Sequence, residues 1–234
     1  YIYSKDLNEK KSLNWIKNLN ADILFCFGWS NLIPENILSL FPMKSIGFHP
    51  AALPANRGRH PLIWSLVLGL EETASTFFEM REKADSGPII SQKSIKILDE
   101  DNANTLYNKI LKTAKRQIQE FLPSLIDGSI IPIEQSNINS NYWRKRNKKD
   151  GIIDWRMSAK SIKNLIRGLT YPYPGASFNF NNIEYLVWES EVIKNNNKNL
   201  EPGKILSFDP KGDIKIKCGE DAIILKKISP EIQL

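Results

Sequence analysis

The sequence predicts an α/β domain followed by a small β-barrel. In residues 1–135, short apolar runs alternate with helix-type patterns, which is typical of α/β sheets. Residues 134–150 are rich in Asn, Ser, Lys and Arg, which indicates a linker. Short strand patterns separated by turn residues follow. We therefore predict a first domain over 1–135, a linker over 136–150 and a C-terminal domain over 151–234.

The patterns in residues 1–135 predict helices and strands in alternation. Apolar residues at helical spacing predict a helix over 7–19. A continuous apolar run over 21–28, stopped by Gly28, predicts a buried parallel strand. The remaining predicted elements are a helix over 34–40, a strand over 45–49, a helix over 61–69, strands over 73–80 and 89–97, and a long helix over 104–126.

The C-terminal part predicts one helix and a set of short strands. Ser158 is a candidate N-cap for a helix that ends at Leu169, before Pro172 and Pro174. The predicted strands cover 176–180, 185–193, 203–208, 213–218 and 222–228. Five short strands joined by turns favour a small β-barrel.

Composition is that of an ordinary globular chain. The 234 residues are 41% hydrophobic and 25% charged, with a net charge of +6. The positive charge fits an acidic partner, although scattered lysines can equally reflect a biased composition. No apolar run approaches the ~20 residues that a membrane span needs. Two distant cysteines give neither a metal-binding spacing nor a disulfide framework, so we expect a reducing, cytoplasmic location.

A histidine and an aspartate stand out as candidate catalytic residues. His49 ends the predicted strand 45–49, ahead of a proline-containing loop, and Asp85 lies in an acid–glycine turn further along the chain. If the fold brings the two strand ends together, they form a workable acid/base pair.

This region resembles the folate-dependent formyltransferases, a family that includes methionyl-tRNA formyltransferase, sugar N-formyltransferases and glycinamide ribonucleotide formyltransferase. The residues in register with the family signature are His49, Leu53, Pro54, Arg57, Gly58, Asp85 and Gly87. A second resemblance covers 148–155, 166–169 and 173–176, the family's entry to the C-terminal domain. Gly47 departs from the signature, because the family has a catalytic asparagine there. The resemblance implies a Rossmann-like first domain and an OB-like C-terminal β-barrel domain. About two β-α units precede this region in the family, so we expect a truncated N-terminal domain that lacks half of the Rossmann-like sheet. The opening Tyr-Ile-Tyr accordingly predicts the end of a strand.

The resemblance implies alternative roles for the catalytic pair. His49 either donates to the developing oxyanion or relays a proton, with Asp85 on its other nitrogen. Alternatively, Asp85 is itself the base that deprotonates the amine. Three explanations for Gly47 stay open. Another amide such as Asn56 replaces the missing donor, nearby backbone N–H groups suffice, or transfer activity has been lost.

The resemblance also implies the binding residues. The formyl donor is 10-formyltetrahydrofolate, and no metal is expected. The pterin would lie against two loops, whose residues are Phe27, Gly28 and Trp29, and Glu82, Lys83 and Ala84. Arg57 and Gly58 are candidates for substrate contact, and a structural role at the base of the loop is an equal alternative. His60 either contacts substrate or caps the following helix.

The implied function is formyl transfer to a primary amine. The run 142–146, in place of a longer basic linker, is more similar to enzymes that act on nucleotide-linked amino sugars. Alternatives are methionyl-tRNA formyltransferase, and a formyl-folate hydrolase or non-catalytic folate-binding homologue. A nucleic-acid-binding protein built on the C-terminal barrel is a third class. The partner would then be a nucleotide amino sugar or initiator methionyl-tRNA, with no membrane partner, and a homodimer is also expected. The basic run 144–149 either contacts phosphate or is a solvated face.

Overall fold

A computed structural model describes residues 3–4, 6–7, 9–29, 31–209 and 212–231. The chain divides into two compact units. The first consists of Tyr1–Gly58, Ala74–Ser94 and Lys112–Trp143, and the second of Arg59–Thr73, Ile95–Leu111 and Arg144–Leu234. The domain boundaries predicted from sequence, near 135 and 151, stay a prediction.

The first unit is built on a sheet whose strands follow the order β1-β2-β4-β5. The strands are β1 (Ile23–Cys26), β2 (Lys44–His49), β4 (Glu72–Glu79) and β5 (Ile89–Lys96). β1 and β2 are parallel, whereas β2 and β4 are antiparallel. A separate parallel pair joins β3 (Arg57–Gly58) to β6 (Tyr142–Trp143). The mixed α/β architecture predicted from the alternating pattern is confirmed.

Helices cover this sheet and bury its apolar residues. They are α1 (Lys10–Asn18), α2 (Glu35–Leu38) and the long α4 (Ala103–Ile126). Ile46 and Phe77 of the sheet form one core cluster with Phe121 and Leu125 of α4. Burying several large apolar side chains together is the main stabilising contribution, at about 25 cal/mol for each Å² removed from water.

The second unit carries α3 (Pro61–Val67), a 3₁₀ turn at Lys148–Gly151, α5 (Ala159–Leu169) and an antiparallel sheet. The Ser158 hydroxyl accepts the Ser161 N–H at 3.1 Å, which confirms the predicted N-cap of α5. The strands are β7 (Ala176–Phe180), β8 (Ile183–Ile193), β9 (Ile205–Phe208), β10 (Ile214–Lys217) and β11 (Ala222–Ser229). All five were predicted to within two residues at each end.

The sheet of the second unit is ordered β7-β8-β11-β10-β9. Its pairs are antiparallel throughout. Over the described ranges, no ladder joins β7 to β9, so the barrel closure expected from sequence is not among the observed pairings.

Three helix boundaries differ from the predicted ones by two residues or more. α1 begins at Lys10 rather than at residue 7, and α2 ends at Leu38 rather than at residue 40. α3 ends at Val67 rather than at residue 69, because Gly69 takes a left-handed φ of 68°. Residues 1 and 2 of the predicted strand end lie outside the described residues. Within the part of the chain that the structure describes, no helix is long and apolar enough to span a bilayer.

Candidate active site

His49 is held at the end of β2 by a backbone carbonyl. The residue is only 4% exposed, and its Nε2 atom lies 2.7 Å from the Asn56 carbonyl oxygen. Because a carbonyl only accepts, Nε2 carries a proton and donates it to Asn56. Asn56 has a φ of 63°, a left-handed conformation that asparagine tolerates better than most residues. The loop after β2 therefore fixes the orientation of the imidazole ring.

Asp85 lies beside the other ring nitrogen. Its Oδ2 atom accepts the Gly58 N–H at 2.8 Å and lies 3.6 Å from His49 Nδ1. The second distance is too long for a hydrogen bond, so the contact with the ring is electrostatic. The Asp85 side chain is 17% exposed and that of His49 is 6% exposed. The structure thus brings the predicted pair together, with the carboxylate as its more accessible member.

Two glycines of this region are required by close backbone approaches. A Cβ atom on Gly87 would lie 1.7 Å from the Glu79 carbonyl oxygen, and one on Gly58 would lie 2.4 Å from the Trp143 oxygen. Gly58 also has a φ of 99°, which is unfavourable for residues with a side chain. The Arg-Gly and Asp-x-Gly patterns therefore reflect how tightly the backbone is packed around Asp85.

Arg57 is buried, and its guanidinium contacts neutral side chains of the first unit. It is 3% exposed. Nη2 donates to Gln135 Oε1 at 2.7 Å, and Nη1 lies 3.5 Å from Asn137 Oδ1 and 3.4 Å from Tyr142 Oη. The Tyr142 ring also lies under the guanidinium, 5.7 Å from its carbon. These contacts fit a structural role for Arg57 at the base of the loop. A contact between Arg57 and substrate stays a prediction.

Gln135 is a residue of this site that the sequence did not indicate. Its Nε2 donates to the carbonyl oxygens of Asp85 at 2.9 Å and of Gly87 at 2.6 Å. Its Oε1 accepts from Arg57. One amide therefore ties the Asp85 turn to the Arg57 loop. No local pattern signals this role, because the partners lie 48 to 78 positions away in the chain.

The position of Gly47 is closed to a larger side chain. Gly47 pairs with Phe78 across β2 and β4, and an added Cβ would lie 2.6 Å from Phe78 Cζ. The Asn56 backbone contacts His49 and Asn141, whereas no described hydrogen bond involves its side-chain amide. The three explanations for the missing asparagine stay open.

The residues predicted to contact a pterin lie on two loops. Phe27 is 51% exposed although its ring edge contacts Phe48 and Phe77, at centroid distances of 6.2 and 5.9 Å. Gly28 has a φ of 66°, and Trp29 is 37% exposed. An exposed aromatic ring next to an open glycine suits a flat ligand.

The second predicted loop is that of residues 82–84. Glu82 and Lys83 are exposed, and Ala84 is half-buried. The Lys83 carbonyl accepts from the Ser86 hydroxyl at 2.8 Å. This bond braces the turn that presents Asp85. The described hydrogen bonds and ring contacts do not join this loop to residues 27–29, so their common role stays a prediction.

His60 occupies the N-cap position of α3 without capping the helix through its side chain. Its φ is 55°, and Pro61 follows at the first helical position. Its Nδ1 instead accepts the Arg146 N–H at 3.4 Å. Burial, followed by the charges of Arg146, Arg59 and Lys145, lowers the pKa of His60. The ring is therefore neutral, with its proton on Nε2.

Candidate metal ligands do not cluster in the described ranges: no group of three or more His, Cys, Asp or Glu residues there could hold a metal ion.

Two family models together match nearly the whole chain. The model described as "Formyl transferase" matches residues 2–122, and "Formyl transferase, C-terminal domain" matches 145–233. The chain belongs to the formyl transferase family. His49, Asp85 and Arg57 all lie within the first matched region, and the strands β7–β11 lie within the second.

A curated relative of this formyl transferase chain is much longer than the chain itself. The bifunctional polymyxin resistance protein ArnA of Wigglesworthia glossinidia brevipalpis is 36% identical over 209 residues, which cover 89% of this chain. The chain spans only 32% of that relative's length.

Two solved structures share the fold. An N-formyltransferase from Helicobacter canadensis, in complex with folinic acid and dTDP-3-aminofucose, has a TM-score of 0.67 at 19% identity, over 87% of this chain and 72% of its own. A methionyl-tRNA formyltransferase from Clostridium thermocellum has a TM-score of 0.66 at 20% identity, over 93% of this chain and 86% of its own.

Proposed function

We propose that the protein transfers a formyl group from 10-formyltetrahydrofolate to the amine of a nucleotide-linked amino sugar. The observation that carries the proposal is the geometry at Asp85, where the Gly58 N–H and the buried His49 ring orient a partly exposed carboxylate. Membership of the formyl transferase family gives this geometry its chemical context.

The residues of the site have separate tasks in this mechanism. Asp85 accepts the proton of the attacking amine, a role worth about 10²–10⁴-fold in rate. The nearby imidazole of His49 either stabilises the carboxylate or takes the proton onward from it through Nδ1. Since Nε2 is held by the Asn56 carbonyl, only Nδ1 is available for this exchange. Direct donation from Nε2 to an oxyanion would require that bond to break.

The bound folate supplies the formyl group, and the exposed ring of Phe27 fits a flat pterin. Phe27 is supported from behind by Phe48 and Phe77 and presents the rest of its surface to solvent. Together with Gly28 and Trp29 it would hold the pterin by apolar contact, and the backbone of Glu82, Lys83 and Ala84 would supply polar contacts. Of the predicted substrate residues, Gly58 acts on Asp85 directly, through its N–H.

An amino sugar is the preferred acceptor for two reasons. The Helicobacter canadensis structure that shares the fold carries a dTDP-linked amino sugar. In this chain, the basic run is also partly neutralised. Arg144 pairs with Asp150, and Lys148 pairs with Glu184 at 2.7 Å. Paired cations attract a polyanion less strongly than free ones.

Methionyl-tRNA is the second candidate acceptor, since Lys145 and Lys149 in the same run are exposed and have no salt bridge among the described residues. A hydrolase or a folate-binding homologue without transfer activity is the alternative that the missing asparagine at Gly47 motivates. A cytoplasmic location is part of the proposal.

The first test measures binding and turnover separately. Wild-type protein and Asp85→Asn are titrated with a non-reactive formyl-folate analogue, then assayed for formyl transfer to a nucleotide-linked amino sugar and to initiator methionyl-tRNA. We expect saturable binding by both proteins and sugar formylation by the wild type alone. No binding by a folded wild-type protein would refute the proposal. Transfer to tRNA alone would reassign the acceptor.

A further inference from the structure

Asn141 contacts the loop that holds His49 through both its side chain and its backbone. Its side-chain Oδ1 atom accepts the Asn56 N–H at 2.7 Å, from a position 85 residues further along the chain. Its backbone carbonyl accepts the next amide, the Arg57 N–H, at 3.0 Å. All four residues belong to the first unit. Asn141 therefore binds two consecutive amides of the loop that follows β2.

These two bonds fix the peptide groups on either side of the Asn56 Cα atom. The Asn56 carbonyl and the Arg57 N–H belong to one planar peptide, and the Asn56 N–H belongs to the preceding one. Asn56 has a φ of 63°, a conformation that costs free energy for a residue with a side chain. Two fixed peptides hold Asn56 in this conformation. The direction of the Asn56 carbonyl, which accepts from His49 Nε2 at 2.7 Å, therefore depends on Asn141.

The imidazole proton of His49 has two acceptors within reach. On Nε2 it is donated to the Asn56 carbonyl, whereas on Nδ1 it would point towards Asp85 Oδ2, which lies 3.6 Å away. A carboxylate is the stronger acceptor of the two, so the Nε2 tautomer requires a well-aimed carbonyl. The His49 side chain is only 6% exposed, and a buried N–H without an acceptor is costly. A carbonyl that turns away would therefore shift the proton to Nδ1.

We propose that Asn141 is a positioning residue for formyl transfer, which keeps the proton of His49 on Nε2 by fixing the backbone of Asn56. The inference rests on the proposed function in one respect: the tautomer matters because Nδ1 must be free to take a proton from Asp85. A ring with its proton already on Nδ1 has no lone pair there and cannot do so. The proposal gives a task in catalysis to part of the segment 136–150, whose composition predicts a linker.

The test is a ¹⁵N NMR spectrum of the intact protein labelled at histidine, which reports the protonation of each ring nitrogen. The chain has only two histidines, so the His60→Gln variant identifies the signals of His49. At about pH 8, well above the ordinary pKa of histidine, His49 should be protonated on Nε2 in the wild type. Asn141→Ala should shift the ratio of the two tautomers at least about five-fold towards Nδ1. Asn141→Asp keeps an accepting oxygen and should restore the wild-type ratio.

Steady-state kinetics provide the second readout. In Asn141→Ala, kcat should fall about three- to ten-fold while KM for formyl-folate stays within about two-fold, because a misplaced proton affects the chemical step rather than binding. Asn141→Asp should restore kcat. Ser140→Ala is the matched control, since it removes a neighbouring hydrogen bond, from Ser140 Oγ to the Asn137 carbonyl at 3.0 Å. That bond reaches neither Asn56 nor His49, so the control should change neither the tautomer ratio nor kcat.

An unchanged tautomer ratio in folded Asn141→Ala would overturn the inference. An equal shift in Ser140→Ala, or no recovery in Asn141→Asp, would overturn it as well. If Asn141→Ala does not fold, hydrogen exchange of the Asn56 amide gives the answer in the wild type and in Asn141→Asp. Slow exchange, slower still with the charged acceptor, supports the bond from Asn56 to residue 141. Exchange at the rate of an unstructured peptide would overturn it.

The spectroscopic readout separates this inference from the proposed function. A tautomer shift in Asn141→Ala, in a protein whose Asp85→Asn variant still transfers formyl groups, would remove the proposed base and leave the effect of Asn141 on His49 standing. Loss of transfer in Asp85→Asn, with an unchanged tautomer in Asn141→Ala, would do the reverse.

Discussion

Two buried arginines, one in each unit, are held in contrasting ways. Arg57 directs its guanidinium at the side chains of Gln135, Asn137 and Tyr142. Arg146 has one backbone carbonyl, one aromatic face and a large cavity beside it. Neither forms a salt bridge to a carboxylate within the described ranges, although the charge of Asp150 acts on Arg146. Burial alone therefore does not show whether the donors of an arginine are used within the chain.

What separates the two is whether their donors are already used within the chain. Each nitrogen of the Arg57 guanidinium contacts an amide or phenol oxygen, so this residue braces the loop that carries Gly58 and, through Gln135, the Asp85 turn. Most Arg146 donors have no described partner. The experiments below test this contrast between an arginine whose donors are mostly used and one whose donors are mostly not.

The largest effect is expected at the residue that the Arg57 loop supports. Asp85→Asn should reduce formyl transfer about 10²–10⁴-fold, because the amide cannot accept the amine proton. Single-turnover kinetics with excess formyl-folate measure the loss, and Asp22→Asn, which changes an exposed carboxylate in the same way, is the control. Activity within ten-fold of the wild type would show that Asp85 is not the base.

The contrast itself predicts unequal effects on stability. Arg57→Met should lower the free energy of unfolding by about 2–4 kcal/mol, since several hydrogen bonds to a charged group are lost. Arg146→Met should change it by less than about 1 kcal/mol, because removing a buried charge that has no salt bridge offsets the lost ring contact. Urea denaturation measures both. Equal losses would mean that the two arginines do not differ in the way described.

Gly47→Asn tests whether the missing amide limits the rate of formyl transfer. The substitution must be combined with a smaller side chain at Phe78. Its Cβ would lie 2.6 Å from Phe78 Cζ, so the single variant should lose about 1–3 kcal/mol of stability through overpacking. Gly47→Asn with Phe78→Val should recover stability. If the double variant is more active than Phe78→Val alone, the wild-type protein lacks an oxyanion donor that limits its rate. If the two variants are equally active, another group already donates to the oxyanion.

Gln135→Glu tests separately the two contacts of the Gln135 side chain, one with Arg57 and one with the Asp85 turn. The glutamate keeps the oxygen that accepts from Arg57 but loses the donor to the Asp85 and Gly87 carbonyls. We expect kcat to fall about ten-fold, equal to about 1.4 kcal/mol, while the thermal unfolding temperature changes little. Gln135→Ala should lower both. If the glutamate variant lowers stability without affecting kcat, Gln135 is merely structural.

The smallest effect concerns His60, beside Arg146. Its folded-state pKa lies below the unfolded value of about 6.5, owing first to burial and then to Arg146, Arg59 and Lys145, with Asp150 opposing. The unfolded chain therefore binds more protons as the pH falls below about 6.5, so the free energy of unfolding decreases there. The His60→Gln variant should show a shallower loss between pH 6.5 and 5 in thermal melts. An identical pH dependence would contradict this assignment.

Much of the fold was predictable because periodic patterns report local structure. The apolar run before Gly28, the Ser158 cap and the five C-terminal strands were located within a few residues. The predicted start of a helix was wrong where the sequence has no N-cap side chain to mark it. α1 starts at Lys10 without a side-chain capping bond. Strand order and barrel closure depend on pairings between distant segments, which no local pattern contains.

The candidate site was predicted in part. His49 and Asp85 could be named because they carry distinctive chemistry beside glycines whose backbone geometry is restrictive. Gln135 could not be named, since an isolated glutamine in a polar segment has no local signal. The role of His60 as acceptor of the Arg146 N–H was also hidden, because the two residues are 86 positions apart.

The sequence by itself determined the family, the alternation of elements and which residues are candidates for the catalytic pair, because these depend on residue type and short spacing. Only the tertiary structure decided which arginine has its donors used within the chain, which amide braces Asp85, and that the Phe78 ring fills the space beside Gly47. Those outcomes depend on where hydrogen-bond partners and packed side chains from distant segments meet. Such meetings arise from the whole folded chain and have no local signature in the sequence.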